Sequence, residues 1–412
     1  MFRALESKNF RLFFIGQSIA LIGHWMQSLA MSWLVYRLTG SALLLGVTGF
    51  ASQFPIFLLA SLAGVFVDRH NRHKILIITQ VLAMLQAFLL AALVFTNTVT
   101  VWSIIVLSAF LGLINALDMP ARQTFVLEMV EKRENLSNAI ALNSSMVNGA
   151  RLIGPSIGGI LIAVLGEGAC FTFNGVSFLA VIFCLLAMRL TPPKIEARES
   201  HVLKDLKEGF SYAFGFAPIR YLILMLALVS LLGMSYSVLM PVFAAEILQG
   251  GANTLGFLMA ASGTGALVGT LYLAARRSMR GLGRIVGVST GIFGVGLVLF
   301  SLSNILPFSI ALNMVNGCSM IVQLAGSNTI LQTIVDDDKR GRVMSIYAMS
   351  FMGMAPFGSL LAGALASGIG APNTVLLGGI CCIAASVFFT IKLRGLKDAL
   401  RAAYVEKQVI LE

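Results

Sequence analysis

The sequence predicts an all-α membrane protein with twelve transmembrane helices in two pseudosymmetric six-helix bundles. Its composition comes first: 58% of the 412 residues are hydrophobic and 11% are charged, whereas a soluble domain carries about 25% charged residues. Apolar runs long enough to cross a bilayer, about 20 residues each, follow one another along the whole chain. The stretch Leu38–Gly46 also recurs as Leu248–Gly256, about half the chain further on.

The apolar runs give the order of the predicted helices. They lie near residues 10–38, 42–66, 74–95, 99–121, 137–165, 169–189, 219–247, 252–275, 283–303, 305–333, 342–368 and 371–392. The first run extends to Leu38, which is too long for a cleaved signal peptide. We therefore expect it to be retained as a membrane helix.

The basic residues predict the orientation. Alternate links contain lysine and arginine, which keep short loops in the cytoplasm; they include Arg69, Arg72, Lys74, Lys132, Arg133, Arg276, Arg277, Arg280, Arg284, Lys339, Arg340 and Arg342. We expect both termini in the cytoplasm and the chain in the cell (inner) membrane. Arg37 and Arg151 are the exceptions to the pattern. The net charge of +11 thus reflects orientation in the lipid bilayer and not a nucleic-acid partner.

The internal repeat predicts the domain organisation. Residues 1–189 form an N-terminal bundle, 190–218 a cytoplasmic connector, and 219–412 a C-terminal bundle with a short tail. Within the connector, Lys204–Phe214 could form a surface helix. Paired six-helix repeats occur in transporters that hold their substrate between the halves near the membrane midplane.

The link after the second run carries the most specific motif. Residues 64–74 read GVFVDRHNRHK, which resembles the signature loop of the major facilitator superfamily. Asn71 replaces its second glycine, and asparagine tolerates left-handed turns. The resemblance implies a cytoplasmic gate in which the loop engages an acidic residue low in the fourth helix, with the set Gly64, Asp68, Arg69, Arg72 and Asp118. A generic basic loop and a local Asp118–Arg122 pair are the simpler alternatives.

A second motif lies in the fifth run, where residues 150–159 read ARLIGPSIGG. It resembles the antiporter motif of drug exporters, with Ala150 in place of the first glycine. Small residues four apart let helices approach closely, and proline can kink a helix. The resemblance gives Gly154, Pro155, Gly158 and Gly159 a role in conformational change, and ordinary helix packing is the alternative.

Three further stretches narrow the resemblance. GHWMQ at 23–27, LDMPARQ at 117–123 and NAIALN at 138–143 resemble the drug:proton antiporter branch that contains macrolide-efflux proteins and the enterobactin exporter. That branch implies proton-coupled efflux of a small amphiphilic compound, drug or siderophore-like, by alternating access. His24 departs from the threonine or aspartate more usual at its position.

Ionisable residues inside a membrane span are candidates for function. His24 lies in the middle of the first run, and histidine titrates near neutral pH, so it could carry a proton or be a neutral structural group. Arg151 lies in the middle of the fifth run. It could bind an anionic substrate group, or it could have the structural role of pairing with backbone carbonyls and Asn148. The other polar candidates for a proton or substrate site are Gln27, Tyr236, Asn313 and Asn316.

The acidic residues bear on the substrate. We expect all 18 in loops, at termini or near helix ends, as for Asp118 and Glu246. A cationic substrate generally needs a buried carboxylate, so a neutral or anionic amphiphile is favoured. No nucleotide-binding, catalytic or zinc-binding pattern is present, so we expect no enzyme activity, cofactor or metal. We also expect the protein to be a monomer. The alternatives are an importer, uniporter or lipid-class transporter of the same fold, and a membrane receptor or scaffold.

Overall fold

A computed structural model of the chain describes residues 3–129, 135–188, 202–276, 278 and 281–395. These residues form α-helices and no strand. A short 3₁₀ segment, Arg3–Glu6, precedes the first helix. In chain order the helices are α1 Lys8–Thr39, α2 Ala42–Arg69, α3 Arg72–Phe95, α4 Val101–Met129, α5 Leu136–Leu165, α6 Glu167–Leu186, α7 Val202–Gly215, α8 Ala217–Leu228, α9 Tyr236–Val242, α10 Ala252–Ala275, α11 Leu282–Leu302, α12 Leu306–Ile334, α13 Arg340–Ala348, α14 Met354–Ile369 and α15 Ala371–Gly395.

Two of the predicted spans are composite. π-helical turns at Val229–Gly233 and Phe243–Ile247 flank α9, so the predicted seventh span consists of four segments. A third π-helical turn, Met349–Gly353, joins α13 to α14 in the predicted eleventh span. Such turns widen the helix locally and occur often at functional sites, and the hydropathy pattern gave no sign of them.

Eleven helical stretches of the described chain are long and apolar enough to cross a membrane. The first predicted span is not among them, although α1 has 32 residues. Three polar side chains, Gln17, His24 and Gln27, lower its mean hydropathy. The all-helical, multi-pass architecture is confirmed, and the count of twelve spans stays a prediction.

The chain divides into two compact units. The first comprises Met1–Arg198 with Ala244–Ala260. Within it α1 packs against α5 and α6, and α3 and α2 both pack against α4. Its core contains large buried side chains such as Phe10 and Phe125, because the apolar faces of these helices meet there. This packing places polar residues of α1, α3 and α4 beside one another.

The second unit comprises Glu199–Phe243 with Ala261–Glu412. Helix α11 packs against α12 and α15, and Phe293 and Phe300 are buried in its core. Helix α7 corresponds to the surface helix predicted in the connector. An ion pair of 2.8 Å between Glu208 and Arg342 joins it to α13.

Several predicted features lie outside the described residues. They are the first part of the connector, the predicted tail from residue 396 onward, and the basic loop residues Lys132, Arg133, Arg277 and Arg280. The two copies of the internal repeat are described, and both contain a left-handed backbone turn. Gly40 has a φ of 57° and Gln249 a φ of 49°, so the chain reverses at each copy before the next helix begins.

Candidate functional site

The predicted gate loop joins α2 to α3 and contacts α4. Arg72 donates a 3.2 Å hydrogen bond to Asp68, at the end of α2, and a second to Glu128, near the end of α4. Glu128, and not Asp118, is therefore the fourth-helix acid that Arg72 contacts. The apolar run of the predicted fourth span ends at residue 121, whereas α4 continues to Met129 and so brings Glu128 to the loop.

Asn71 in the same loop differs from expectation. Asn71 has a φ of −68° and caps α3, because its side chain accepts a hydrogen bond from the backbone N–H of Lys74. The left-handed turn suggested for it is wrong, and helix capping explains the asparagine instead. A side chain at Gly64 would meet nothing within 4 Å, and Arg69 is exposed, so neither residue is fixed by close packing.

Asp118 lies inside α4 and is 1% exposed, so the expectation that it sits near a helix end is wrong. Its Oδ1 accepts hydrogen bonds from Thr79 Oγ1 at 2.9 Å and Gln80 Nε2 at 2.8 Å, both on α3. Its Oδ2 accepts one from Arg122, one turn along α4. The four residues form a buried charged cluster, the Asp118 cluster, which includes the local Asp118–Arg122 pair.

Gln27 belongs to a separate network of buried amides. Its Nε2 donates to Gln86 Oε1 at 3.0 Å, and its Oε1 accepts from Asn174 Nδ2 at 2.7 Å. Gln86 donates onward to the carbonyl of Leu107. The network joins α1, α3, α6 and α4, and it occupies both functional atoms of Gln27. This arrangement braces the first unit and leaves Gln27 poorly suited to bind a substrate.

His24 and Arg151 lie near different partners. His24 is half-buried and interacts electrostatically with Asp118 and Arg122. The guanidinium of Arg151 lies 5.5 Å from the centre of the Trp25 ring, within the range of a cation–π interaction. The α1 residue His24 is thus associated with α4, and Arg151 on α5 with the neighbouring α1 residue.

The glycine-rich motif of α5 has two close contacts. A Cβ at Gly154 would lie 2.6 Å from Trp25 Cβ and 2.8 Å from the carbonyl oxygen of Ile22, both on α1. A Cβ at Gly159 would lie 2.8 Å from the carbonyl oxygen of Ala252. Pro155 lies inside the helix, which is continuous through it. The small residues therefore allow α5 to pack tightly on α1 and on the start of α10.

The C-terminal end of α1 is joined to the N-terminal end of α6. Arg37, an exception to the predicted charge pattern, forms a 2.7 Å ion pair with Glu167. Tyr36 donates a hydrogen bond to Glu246 within the same unit. Each of these acidic residues has a partner on α1, which accounts for the position of Arg37.

In the second unit, the predicted polar residues lie on α12 and α9. Asn313 and Asn316 are fully buried, and neither side-chain atom of Asn316 has a hydrogen-bond partner among the described residues. Asn316 packs where Gly296 of α11 leaves room for it. Tyr236 contacts the edges of Phe293 and Phe300, so it belongs to an aromatic cluster.

Residues 1–409 match the family described as transmembrane secretion effector. The chain belongs to this family of the major facilitator superfamily. The members of this family and the relatives below are transporters and not enzymes.

Relatives of this family member extend over nearly the whole chain. It is 27% identical to the staphyloferrin A transporter of Staphylococcus aureus over 94% of its own length and 97% of the relative. It is 25% identical to the multidrug efflux pump Tap of Mycolicibacterium fortuitum over 86% and 88% of the two chains. It is 22% identical to macrolide efflux protein A of Streptococcus pyogenes over 91% and 94%.

Solved structures show the same fold. The nucleoside transporter NupG aligns with a TM-score of 0.73 at 13% identity, covering 94% of this chain and 98% of NupG. A bacterial homologue of the lysosomal transporter Spinster aligns with a TM-score of 0.65 at 14% identity, covering 97% of both chains. The expected major facilitator fold is therefore confirmed, and the family match makes this chain a multi-pass secondary transporter.

Proposed function

We propose that this secretion-effector family member exports a small amphiphilic compound, drug or siderophore-like, in exchange for protons by alternating access. The observation that carries the proposal is the set of ionisable residues inside the helices of the first unit, His24, Asp118, Arg122 and Arg151. Such groups are costly in a membrane unless function requires them. The similarity to a staphyloferrin A transporter and a macrolide efflux protein supports this substrate class.

In the first unit, His24 and Arg151 are the proposed proton or substrate groups. His24 is half-buried on α1, and its proximity to the Asp118 cluster lets a charge on one affect the other. Arg151 presents a permanent charge that can bind an anionic substrate group. Gln27 is left out because both of its amide atoms are bonded within the protein.

In the second unit, Asn313, Asn316 and Tyr236 are the proposed substrate residues. A buried amide without a partner costs free energy; a substrate hydroxyl can donate to Oδ1, and a substrate hydroxyl or carbonyl can accept from Nδ2. Tyr236 supplies an apolar ring with a polar end. Uncharged residues of this kind suit neutral parts of an amphiphile.

A neutral or anionic substrate remains favoured, although the first unit does contain a buried carboxylate. Asp118 is a buried carboxylate, contrary to expectation, but it already accepts hydrogen bonds from three donors, one of them the guanidinium of Arg122. Its charge is therefore compensated within the protein. A cationic substrate would have to displace Arg122 to reach it, whereas the permanent positive charge of Arg151 attracts an anionic group.

The remaining features fit export from the cytoplasm. We propose that Asp68, Arg72 and Glu128 form the cytoplasmic gate. We also propose that the protein is a monomer in the cell (inner) membrane, with both termini in the cytoplasm. The gate cluster joins three helices through one guanidinium. Loss of Glu128 removes its tie to α4, and loss of Asp68 removes its tie to the end of α2. An importer, a uniporter and a lipid-class transporter share the fold and are separated from this proposal by flux.

The test uses purified protein in liposomes that contain a pH-sensitive dye. Chloramphenicol (neutral), citrate (anionic) and erythromycin (cationic) are added one at a time as a three-compound panel. We expect substrate-dependent proton movement with chloramphenicol or citrate. Movement with erythromycin alone would refute the charge preference, and substrate flux without proton movement would refute antiport.

A variant tests the α12 site. Asn316→Leu removes an amide that has no partner among the described residues, so the protein should be at least as stable as the wild type. Loss of one to two neutral hydrogen bonds to substrate, about 1–1.5 kcal/mol in total, should reduce the rate of transport about tenfold. Thr329→Val, an exposed change on the same helix, is the matched control. Unchanged transport by Asn316→Leu would remove Asn316 from the site.

A further inference from the structure

Two basic and two aromatic side chains of the second unit meet where α8 begins and α15 ends. The guanidinium carbon of Arg220 lies 5.2 Å from the centre of the Tyr221 ring, and Nζ of Lys392 lies 5.7 Å from the centre of the Phe388 ring. The two rings pack edge to face, with their centres 5.7 Å apart. Because α8 packs against α15, the four side chains form one group, which we call the basic–aromatic patch.

The basic–aromatic patch lies at one end of two membrane spans. The helical stretches long and apolar enough to cross a membrane include Ala217–Ile247 and Ala371–Lys392. Arg220 is therefore in the first turn of one span, and Lys392 is the last residue of the other. Tyrosine is enriched where the hydrocarbon meets the lipid headgroups, and lysine and arginine extend their charged ends to the same level. We expect the patch to lie at the level of the headgroups.

The positive charge of the patch is not compensated within the described part of the chain. Neither Arg220 nor Lys392 forms an ion pair among the residues that the structure describes. Helices α8 and α15 contain no acidic residue. On the neighbouring helix α7, Glu208 pairs with Arg342 at 2.8 Å. The patch is therefore suited to an anion from outside the protein.

Arg220 has hydrogen-bond donors left for such an anion. Its Nη1 donates to the carbonyl oxygen of Phe214, in the last turn of α7, at 3.3 Å. A guanidinium has five N–H donors, and this is its single hydrogen bond among the described residues. Stacking on Tyr221 uses the face of the guanidinium and leaves its N–H edge open, which is the edge that binds phosphate oxygens.

Exposed apolar side chains lie beside the two cations, further into the spans. Leu224 is one helical turn beyond Arg220, and Phe388 is one turn before Lys392; both are exposed. In a membrane protein, such side chains contact the acyl chains of lipids. The surface thus has positive charge at headgroup level and apolar contacts below it, in the order of the phosphate and acyl chains of a phospholipid.

The charge of the patch selects among phospholipids. A zwitterionic headgroup brings an ammonium group as well as a phosphate, and the two cations repel the ammonium group. An anionic headgroup such as phosphatidylglycerol brings the phosphate alone. Basic pockets between membrane helices bind anionic headgroups for the same reason.

We infer that the basic–aromatic patch is a binding site for an anionic phospholipid. Arg220 and Lys392 hold the headgroup, and the acyl chains lie along Leu224 and Phe388. Since Arg220 also bonds to Phe214, the bound lipid contacts the junction between α7 and α8. The site lies within the second unit and does not depend on the proposed proton-coupled export.

The test is native mass spectrometry of the full-length protein in detergent, titrated with phosphatidylglycerol or with zwitterionic phosphatidylcholine. We expect the wild type to bind phosphatidylglycerol more tightly. Arg220→Gln and Lys392→Gln should each weaken that binding about fivefold, the contribution of one basic residue at an anionic lipid surface. Binding of phosphatidylcholine should change little. Arg284→Gln, which removes an exposed arginine at the start of α11, is the matched control and should bind phosphatidylglycerol like the wild type.

Lys392 separates loss of lipid contact from loss of packing. Arg220→Gln also removes the bond to Phe214, whereas Lys392 is exposed and its one contact among the described residues is the Phe388 ring. Lys392→Gln should therefore fold like the wild type, and Lys392→Arg, which keeps the charge, should retain the affinity for phosphatidylglycerol.

Three results would overturn the site. They are equal affinities of the wild type for the two lipids, unchanged binding of phosphatidylglycerol by Lys392→Gln, and displacement of the lipid by inorganic phosphate at an equal concentration, which would indicate a site for free phosphate. None of these measurements involves transport. Failure of the proposed antiport would leave the lipid site standing, and loss of the lipid site would leave antiport intact.

Discussion

The contact between α5 and α1 makes a prediction that depends on a single added methyl group. In Gly154→Ala, the new Cβ would begin 2.6 Å from Trp25 Cβ and 2.8 Å from the carbonyl oxygen of Ile22, and ordinary contact begins at about 3.4 Å. One neighbour is backbone, so a rotamer change cannot relieve the contact and α5 must move away from α1. Overpacking of this kind typically costs 1–3 kcal/mol.

Gly149→Ala is the matched control on the same helix, because a Cβ there meets nothing within 4 Å. Alanine favours a helix over glycine by about 1 kcal/mol, and this gain applies to both variants. Their difference in stability therefore isolates the packing cost, and we expect Gly154→Ala to be less stable by roughly 1–3 kcal/mol.

Unfolding in detergent micelles, followed by tryptophan fluorescence, measures this difference, and Trp25 reports from the contact itself. Transport by Gly154→Ala should also fall, whereas Gly149→Ala should transport like the wild type. Equal stability and equal transport of the two variants would refute the close-packing argument for the motif.

Two further predictions concern ion pairs. Glu128→Arg should impair transport, and Arg72→Glu in the same chain should partly rescue it. The swapped pair restores a contact of about 1 kcal/mol, which corresponds to about a fivefold change in transport rate. Transport assays of the two single variants and the double variant measure this, and no rescue would argue against the gate cluster. Glu167→Gln should lower the free energy of unfolding by at most about 1 kcal/mol, since the Arg37 side chain is half exposed. A larger loss in the detergent unfolding assay would contradict this weak contribution of the ion pair.

The sequence predicted the helices well, because length and hydropathy decide which segments cross a membrane. Hydropathy does not mark where a helix ends outside the apolar region. That is why Glu128 was missed: α4 continues beyond its apolar run to Met129. The same limit led to Asp118 being placed near a helix end.

Side-chain partners could be predicted only where they are local. The Asp118–Arg122 contact follows from spacing along one helix and is present. The bonds of Gln27 to Gln86 and Asn174 cross three helices, and no spacing within α1 indicates them. The π-helical turns around α9 likewise depend on packing and not on composition.

The proposed function requires that a proton gradient drives export. The most direct test imposes an acidic interior on liposomes containing the protein and measures uptake of chloramphenicol and citrate, with protein-free liposomes as the background. Proton-driven export should accumulate at least one compound above its external concentration. This accumulation should collapse when a protonophore removes the gradient. Equal internal and external concentrations, reached at the same rate with and without the gradient, would contradict it.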